Sequence, residues 1–211
     1  LLPTKNLKLY LPFEGNANDA SGNGNDGSVT GASLTTGKFG QCYSFDGSDD
    51  YIDINTPAIQ DGTQDFTVAF WYNQSSGGRQ QFINFADDSD FIIQTGENQD
   101  DNVAHVRANQ DGSWTDIVIA TAHNYNTWYF LTVTYHSTNG WNLYINATKE
   151  DDNAQTGVFG SKNWGSLIGA WSSDPIQHFF HGKIDSPMIF SKALSQQDIQ
   201  RLYLNLHPLN G

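Results

Sequence analysis

Oxygen-rich turns and loop-borne aromatic rings are the parts of this sequence whose residue types and spacing could do chemistry. In LPFEGNANDASGNGNDGSVTG, Asp19, Ser21, Asn23 and Gly24 follow the first half of a calcium loop, with oxygen donors at alternate positions and a glycine for the sharp turn. Such a loop needs a bidentate Glu at its twelfth position, where Thr30 stands, so the stretch is not an EF-hand. A second turn, FDGSDDYIDI, offers Asp46, the Gly47 carbonyl, Asp49 and Asp50. Carboxylate and carbonyl sets suit Ca2+, whereas softer metals want His or Cys. Asn, Asp and Gly are equally the ordinary residues of turns, and their types alone leave the two readings level.

The six Trp residues divide by context. Trp71 in DFTVAFWY and Trp128 in TWYFLTVTY belong to apolar runs and are expected in the core, while Trp141 follows a turn and fits either setting. Trp114 in NQDGSWTD, Trp164 in SKNWGS and Trp171 in GAWSSDP lie among loop residues, where a flat ring beside polar groups suits stacking on a sugar face. Trp114, Tyr125, Trp164 and Trp171, with Asp111 and Asp116 as hydrogen-bonding partners, form the expected glycan-binding set. A loop Trp also serves as a local packing plug, which is the competing reading of each.

Catalytic constellations are weaker. Sandwich hydrolases hold two carboxylates about 5 to 10 Å apart, yet Glu occurs only at Glu14, Glu97 and Glu150, none in an alternating acidic strand. There is no G-x-S-x-G elbow. His178 and His181, read as part of one strand, are expected on opposite faces, which argues against a shared metal. His105 and Arg107 share a face of VAHVRA, with Tyr135 and His136 in another run; this His/Tyr/Arg set supports an alternative, a polysaccharide lyase that abstracts a proton beside a uronate carboxylate.

The elements that must position these groups are short strands. Runs such as LKLYLPF, KFGQCYSF, YIDI, DFTVAFWY, TWYFLTVTYH, GWNLYIN and HFFHGKIDSPMIF alternate or are wholly apolar, and about a dozen are expected. Asn23-Gly24, Asp46-Gly47, Asp61-Gly62, Asp111-Gly112 and Asn139-Gly140 punctuate them as an antiparallel sandwich requires. One helix is specified near the C-terminal end: Ser195 caps it with Asp198 three residues on, and Ile199, Leu202, Tyr203 and Leu206 form an apolar stripe. With 211 residues, no internal repeat and no linker, the chain is expected to be a single domain over residues 1–211.

Composition narrows the partners. Ten Lys and Arg against 23 Asp and Glu give a net charge of −13, and the basic residues are scattered singly, so no phosphate-neutralising stripe exists for nucleic acid or an anionic membrane. No run approaches the ~18 apolar residues of a membrane span. Cys42 is alone and sits in an apolar run, which points to packing rather than redox work. The start LLPTKNLKLY lacks the order of a signal peptide and has no Met, so a mature or excised domain is expected.

Together, LYLPFEGNANDASGNGNDG, KFGQCYSFDGSDDYIDI, DFTVAFWY, TWYFLTVTY, NLYIN, SLIGA and FHGKIDSPMIFSKALSQQDIQRLY resemble the laminin-G-like domains of the concanavalin A-like superfamily across nearly the whole chain. The resemblance implies an all-β, two-sheet antiparallel jelly roll with a short C-terminal helix. It also implies a structural calcium near the first strand, the FDG turn and the GKID strand, which falls here on Glu14, Asp19, the Gly47 carbonyl and Asp185. Ala147 departs from the glycine often found after LYIN, and the catalytic Glu strand of the related glucanases is absent. The expected function is therefore a calcium-stabilised carbohydrate-binding or adhesion module of a larger secreted or cell-surface protein. Its expected partner is a poly- or oligosaccharide, not nucleic acid and not a membrane interior. A lyase and a non-catalytic structural or protein-binding spacer are the alternatives.

Overall fold

The computed structural model describes residues 4–54, 65–85, 91–96, 102–110, 113–118, 122–156, 166–171 and 175–205. After a short 3-10 turn at Thr4–Asn6 come strands β1 (Leu7–Tyr10), β2 (Gly27–Thr30), β3 (Ser33–Thr36), β4 (Gln41–Asp46), β5 (Tyr51–Ile54), β6 (Phe66–Gln74), β7 (Gln80–Phe85) and β8 (Phe91–Thr95). They are followed by β9 (Ala104–Gln110), β10 (Ser113–Val118), β11 (Tyr129–His136), β12 (Gly140–Ile145), β13 (Thr148–Asn153), β14 (Ser166–Ile168), β15 (His181–Phe190) and the helix α1 (Gln196–Asn205). An eight-stranded sheet runs β13-β12-β11-β6-β15-β4-β3, with β1 also on β15, and a seven-stranded sheet runs β10-β9-β8-β7-β14-β5-β2. Every pairing is antiparallel.

Strand β6 shows why the sequence folds this way. Its period-2 alternation sends Phe66, Val68, Phe70 and Tyr72 into the core between the sheets, and Ala69 and Trp71 to the opposite face. Both faces of β6 are buried because α1 covers the outside of the eight-stranded sheet: Ile199 and Leu202 pack there, and Tyr203 stacks on Trp71 with ring centroids 5.6 Å apart. The helix starts where its cap predicts, with the Asp198 N–H donating to Ser195 Oγ at 3.2 Å and the Ser195 hydroxyl donating to Asp198 Oδ2 at 2.8 Å. Trp141 belongs to the inner core and Trp128 packs against the outer cluster.

Register shifts between Leu7 and Leu9, Gln81 and Ile83, and Leu143 and Tyr144 interrupt simple alternation, and two further features shape the strands around them. Strand β15 carries Pro187 in a central position, which a proline can occupy only at a bulge; the register shifts between Asp185 and Met188, and Ser186 takes φ 51°. The bulge passes one edge of β15 from β4 to β1. Between β12 and β13, Asn146 and Ala147 both adopt positive φ, 50° and 63°, in a two-residue turn. Ala147 keeps that turn despite its Cβ because its methyl is buried in the outer cluster. Polar β2, β3 and β13 exceed the expected dozen strands, and they stand at sheet edges where little apolar surface is covered.

Candidate functional site

Strand register places five connections at one end of the sandwich. Asp46, the last residue of β4, pairs with His181, the first of β15, and Gln74, the last of β6, lies opposite Gly182. Gln80 opens β7 opposite Thr95 at the end of β8, and Tyr129 opens β11 opposite Tyr72. The turn 46–50, the loop 74–80, the segment 122–128, and Trp171 with residues 175–180 therefore converge with Gly96. Hydrogen bonds tie them together: Asn126 N to Gln74 O at 2.7 Å, Ser75 N to His181 O at 2.9 Å and Gln81 N to His178 O at 2.9 Å.

Between these loops lies a pocket of about 370 Å³ lined by Asp46, Gly47, residues 76–80, His178, Phe179 and His181. Its polar groups are held in place. Ser76 Oγ is 2.9 Å from His181 Nδ1, and Gln80 Oε1 accepts the His181 N–H at 3.0 Å. Gln80 Nε2 donates to the Ser76 and Gly77 carbonyls at 3.0 and 2.8 Å, which fixes the 76–80 turn against the start of β15. Beside the pocket, Trp171 stacks on His178 with centroids 5.2 Å apart and planes within 15°, and the Arg79 guanidinium lies 5.5 Å from the same ring. This arrangement can hold a small polar ligand through convergent hydrogen bonds beside an aromatic wall.

The two histidines correct one expectation. His178 precedes β15 and has φ 55°, so it is not on a strand, and it lines the pocket together with His181 instead of facing away from it. The expected glycan set is likewise divided. Trp171 and the exposed Tyr125 belong to the pocket end. Trp114 pairs with Asn109 in β10, five residues along β9 from Ala104 and thus about 17 Å towards the other end. Asp116 pairs with Arg107 in the same edge strand, while Asp111 and Trp164 lie outside the described residues. The His/Tyr/Arg set is not assembled either, since Tyr135 stacks on Phe66 inside the core while His105 and Arg107 sit on β9 of the other sheet.

The expected calcium ligands occupy three places. Asp19 is a turn hub: Oδ1 accepts the Tyr10 and Ser21 N–H groups at 3.0 and 2.8 Å, and Oδ2 accepts the Asn25 N–H and the Ser21 hydroxyl at 3.0 and 2.8 Å. Burial works against its charge, but those donors outweigh it and hold the carboxyl below its ordinary range. Asp185 is fully buried, with Oδ2 accepting the Lys38 and Phe39 N–H groups at 2.9 and 3.1 Å and Oδ1 accepting the Ser186 hydroxyl at 2.8 Å. Burial nevertheless pushes Asp185 up to about 6. Glu14 approaches the same hairpin, its Oε1 accepting the Gln41 N–H at 3.3 Å.

Gly47 is elsewhere, beside His181, four residues or about 13 Å along β15 from Asp185. Its turn brings carboxylate oxygens of Asp46, Asp49 and Asp50 within 4.8 Å of one another. Asp46 Oδ1 accepts the Ser48 N–H and Asp50 Oδ2 accepts the Asp46 N–H, both at 2.8 Å. Burial, with the Asp46 and Asp49 charges adding to it, raises the Asp50 carboxyl despite that N–H. The donor chemistry here fits a hard cation; of the other expected ligands, Asp19 and Asp185 accept N–H and O–H donors at both oxygens, and Glu14 accepts one N–H.

The family of the concanavalin A-like lectin/glucanases superfamily matches residues 46–200, most of the chain. The chain belongs to that superfamily. Among solved structures, it is similar to the binding domain of Paraclostridial Mosquitocidal Protein 1, with a TM-score of 0.80, 18% identity and coverage of 96% of this chain and 53% of that one. Domain 4 of AbnA, an extracellular GH43 arabinanase from Geobacillus stearothermophilus, in complex with arabinotriose, gives 0.75 at 20% identity over 94% of this chain and 98% of that one. The binding domain of Botulinum Neurotoxin DC, in complex with SialylT, gives 0.77 at 19% identity over 98% and 53%. The chain thus spans about half the length of the two toxin domains. No curated protein matches it. These likenesses establish the two-sheet jelly-roll fold of this superfamily member. Among the described residues, no helix is long and apolar enough to cross a membrane.

Proposed function

We propose that this domain is a carbohydrate-binding module of a larger extracellular protein, and that it binds sugar in the pocket at the end of the sandwich. The observation that carries the reading is the convergence of fixed Ser, Gln, His and backbone groups beside Trp171. Sugars present many hydroxyls and a weakly apolar ring face, so a polar pocket with one aromatic wall matches them. Arabinotriose on a similar domain of an arabinanase supports the same ligand class. Trp171 and Tyr125 are the aromatic contacts retained from the sequence, and Ser76, Gln80, His178 and His181 are the polar ones.

Calcium belongs in this reading at the turn of Asp46, Asp49 and Asp50, which shares Asp46 and Gly47 with the pocket. A cation there would relieve the mutual repulsion of three carboxylates and hold one wall of the pocket. A glycan array with and without chelator tests both parts. Binding that is lost in Trp171→Ala, together with a calcium-dependent rise in Tm that is lost in Asp49→Asn, is the expected result. No glycan bound under either condition would favour the protein-binding or spacer role.

A further inference from the structure

We infer that the domain recognises the terminal unit of a glycan, entered end-on, rather than an extended internal stretch of a polymer; this rests on the reading of the pocket as a sugar site. A polymer laid across a jelly roll needs an open sheet face with side chains available along it. The outer face of the eight-stranded sheet is taken by α1, whose Ile199, Leu202 and Tyr203 pack against Trp71 and Phe130. The seven-stranded sheet is closed in a different way. Ile93, Ala104 and Val106 point into the core, so Gln94 and His105, which alternate with them, lie on the outer face, and Gln81 joins them by pairing with Gln94 across the register shift between Gln81 and Ile83. Gln81 and Gln94 are fully buried, His105 is 2% exposed, and Gln81 Nε2 donates to Gln94 Oε1 at 2.7 Å. Burial keeps these groups from offering themselves to hydroxyls along a chain, although Gln81 Oε1 has no hydrogen-bond partner among the described residues.

The sandwich end is different. Its pocket of about 370 Å³ is at the small end of the ~300–1,000 Å³ range of ligand sites, room for about one or two sugar rings. Ser76, Gln80 and His181 are fixed on its wall by their own hydrogen bonds, so a terminal ring meets preorganised partners. Among the described residues the pocket offers contacts for about one or two rings, so rings beyond the second are expected to add nothing.

Calorimetric titration with arabino-, xylo-, gluco-, manno- and galacto-oligosaccharides of two to six residues, and with the parent polymers, tests this. The expected result is an affinity that levels off at two residues for the sugar that binds, with the polymer binding in proportion to its chain ends rather than its mass. Ser76→Ala should weaken binding by about fivefold, and Asp53→Ala, on the outer face of β5 opposite Leu167, should leave it unchanged. Affinity that climbs steadily to six residues, or that falls in Asp53→Ala and not in Ser76→Ala, overturns end-on recognition while leaving a sugar site. Absence of binding across the whole panel instead overturns the pocket reading itself, and end-on recognition with it.

Discussion

Replacing His123 with Phe should change how stability depends on acid. His123 is 4% exposed, its ring stacks on Tyr129 at 4.4 Å, and its Nδ1 meets the Tyr72 hydroxyl. Its Nε2 is buried with no hydrogen-bond partner among the described residues, and neither aromatic neighbour carries charge. Burial pushes the imidazole down from 6.5 to about 4. A base whose folded value is depressed contributes stability that is complete above the unfolded value and is lost as pH falls through 6.5 towards 4. The difference of about 2.5 units corresponds to about 3 kcal/mol lost by pH 4.

Asp185 acts in the opposite sense. Its carboxyl is raised from 3.8 to about 6, so its contribution is complete below 3.8 and is lost as pH rises through 6. The wild-type profile mixes the two and can look flat between pH 4 and 6.5. The difference between wild type and His123→Phe removes Asp185, because both proteins carry it. Urea unfolding at pH 7.5, 5.5 and 4 should show the variant gaining on wild type by about 3 kcal/mol across the range. A difference that stays constant with pH would refute the buried neutral imidazole, as would an NMR titration of His123 with a midpoint at its ordinary value.

Substitutions at three further positions probe the framework. Gly169 has φ 89°, and a Cβ there would sit 2.5 Å from two ring atoms of buried Phe45; Gly169→Ala should cost about 3 kcal/mol and lower Tm by about 10 °C. Gly24 has φ 75° with open space around it, so Gly24→Ala should cost about 1 kcal/mol, and equal losses at the two positions would argue against the ring contact. Asp185→Ala strands the Lys38 and Phe39 N–H groups and should cost about 2 to 3 kcal/mol at neutral pH by denaturant titration, whereas Asp185→Asn, which keeps an acceptor oxygen, should cost less. Indistinguishable stabilities for the Ala and Asn variants would refute the role given to that carbonyl-like oxygen.

The core strands were legible because burial on one or both faces leaves a pattern: β6, β11, β12 and β15 read as apolar or alternating runs, and Ser195 with Asp198 announced α1. The polar segments GSVT, SLTT and TKEDDN form β2, β3 and β13 at sheet edges, where backbone pairing suffices and no apolar period is demanded. The pocket was harder to see for a different reason. SSGGRQ announces a polar turn, but which loops share its end of the sandwich is decided by register, and register couples residues as distant as Asp46 and His181. Trp114 and Trp171 look alike in sequence, and pairing alone sends them towards opposite ends.

Asp19 and Asp185 show that a carboxylate legible as a metal ligand can also be held by backbone donors. A carboxylate next to an apolar run must be compensated, and a sequence cannot distinguish a cation from a ring of N–H donors as the compensating partner. The structure supplies the second kind at both positions, through the turn 19–25 and through the hairpin whose Lys38 and Phe39 amides face Asp185. Gly37 leaves the space for that approach, since a Cβ there would lie 2.6 Å from Asp185 Oδ2. What separates the acids of the FDG turn is that the carboxylate oxygens of Asp46, Asp49 and Asp50 lie within 4.8 Å of one another, and the Asp46 and Asp49 charges add to burial in raising the Asp50 carboxyl. Mutual approach of carboxylates, rather than their burial or their spacing along the chain, is the physical signature on which the calcium proposal rests.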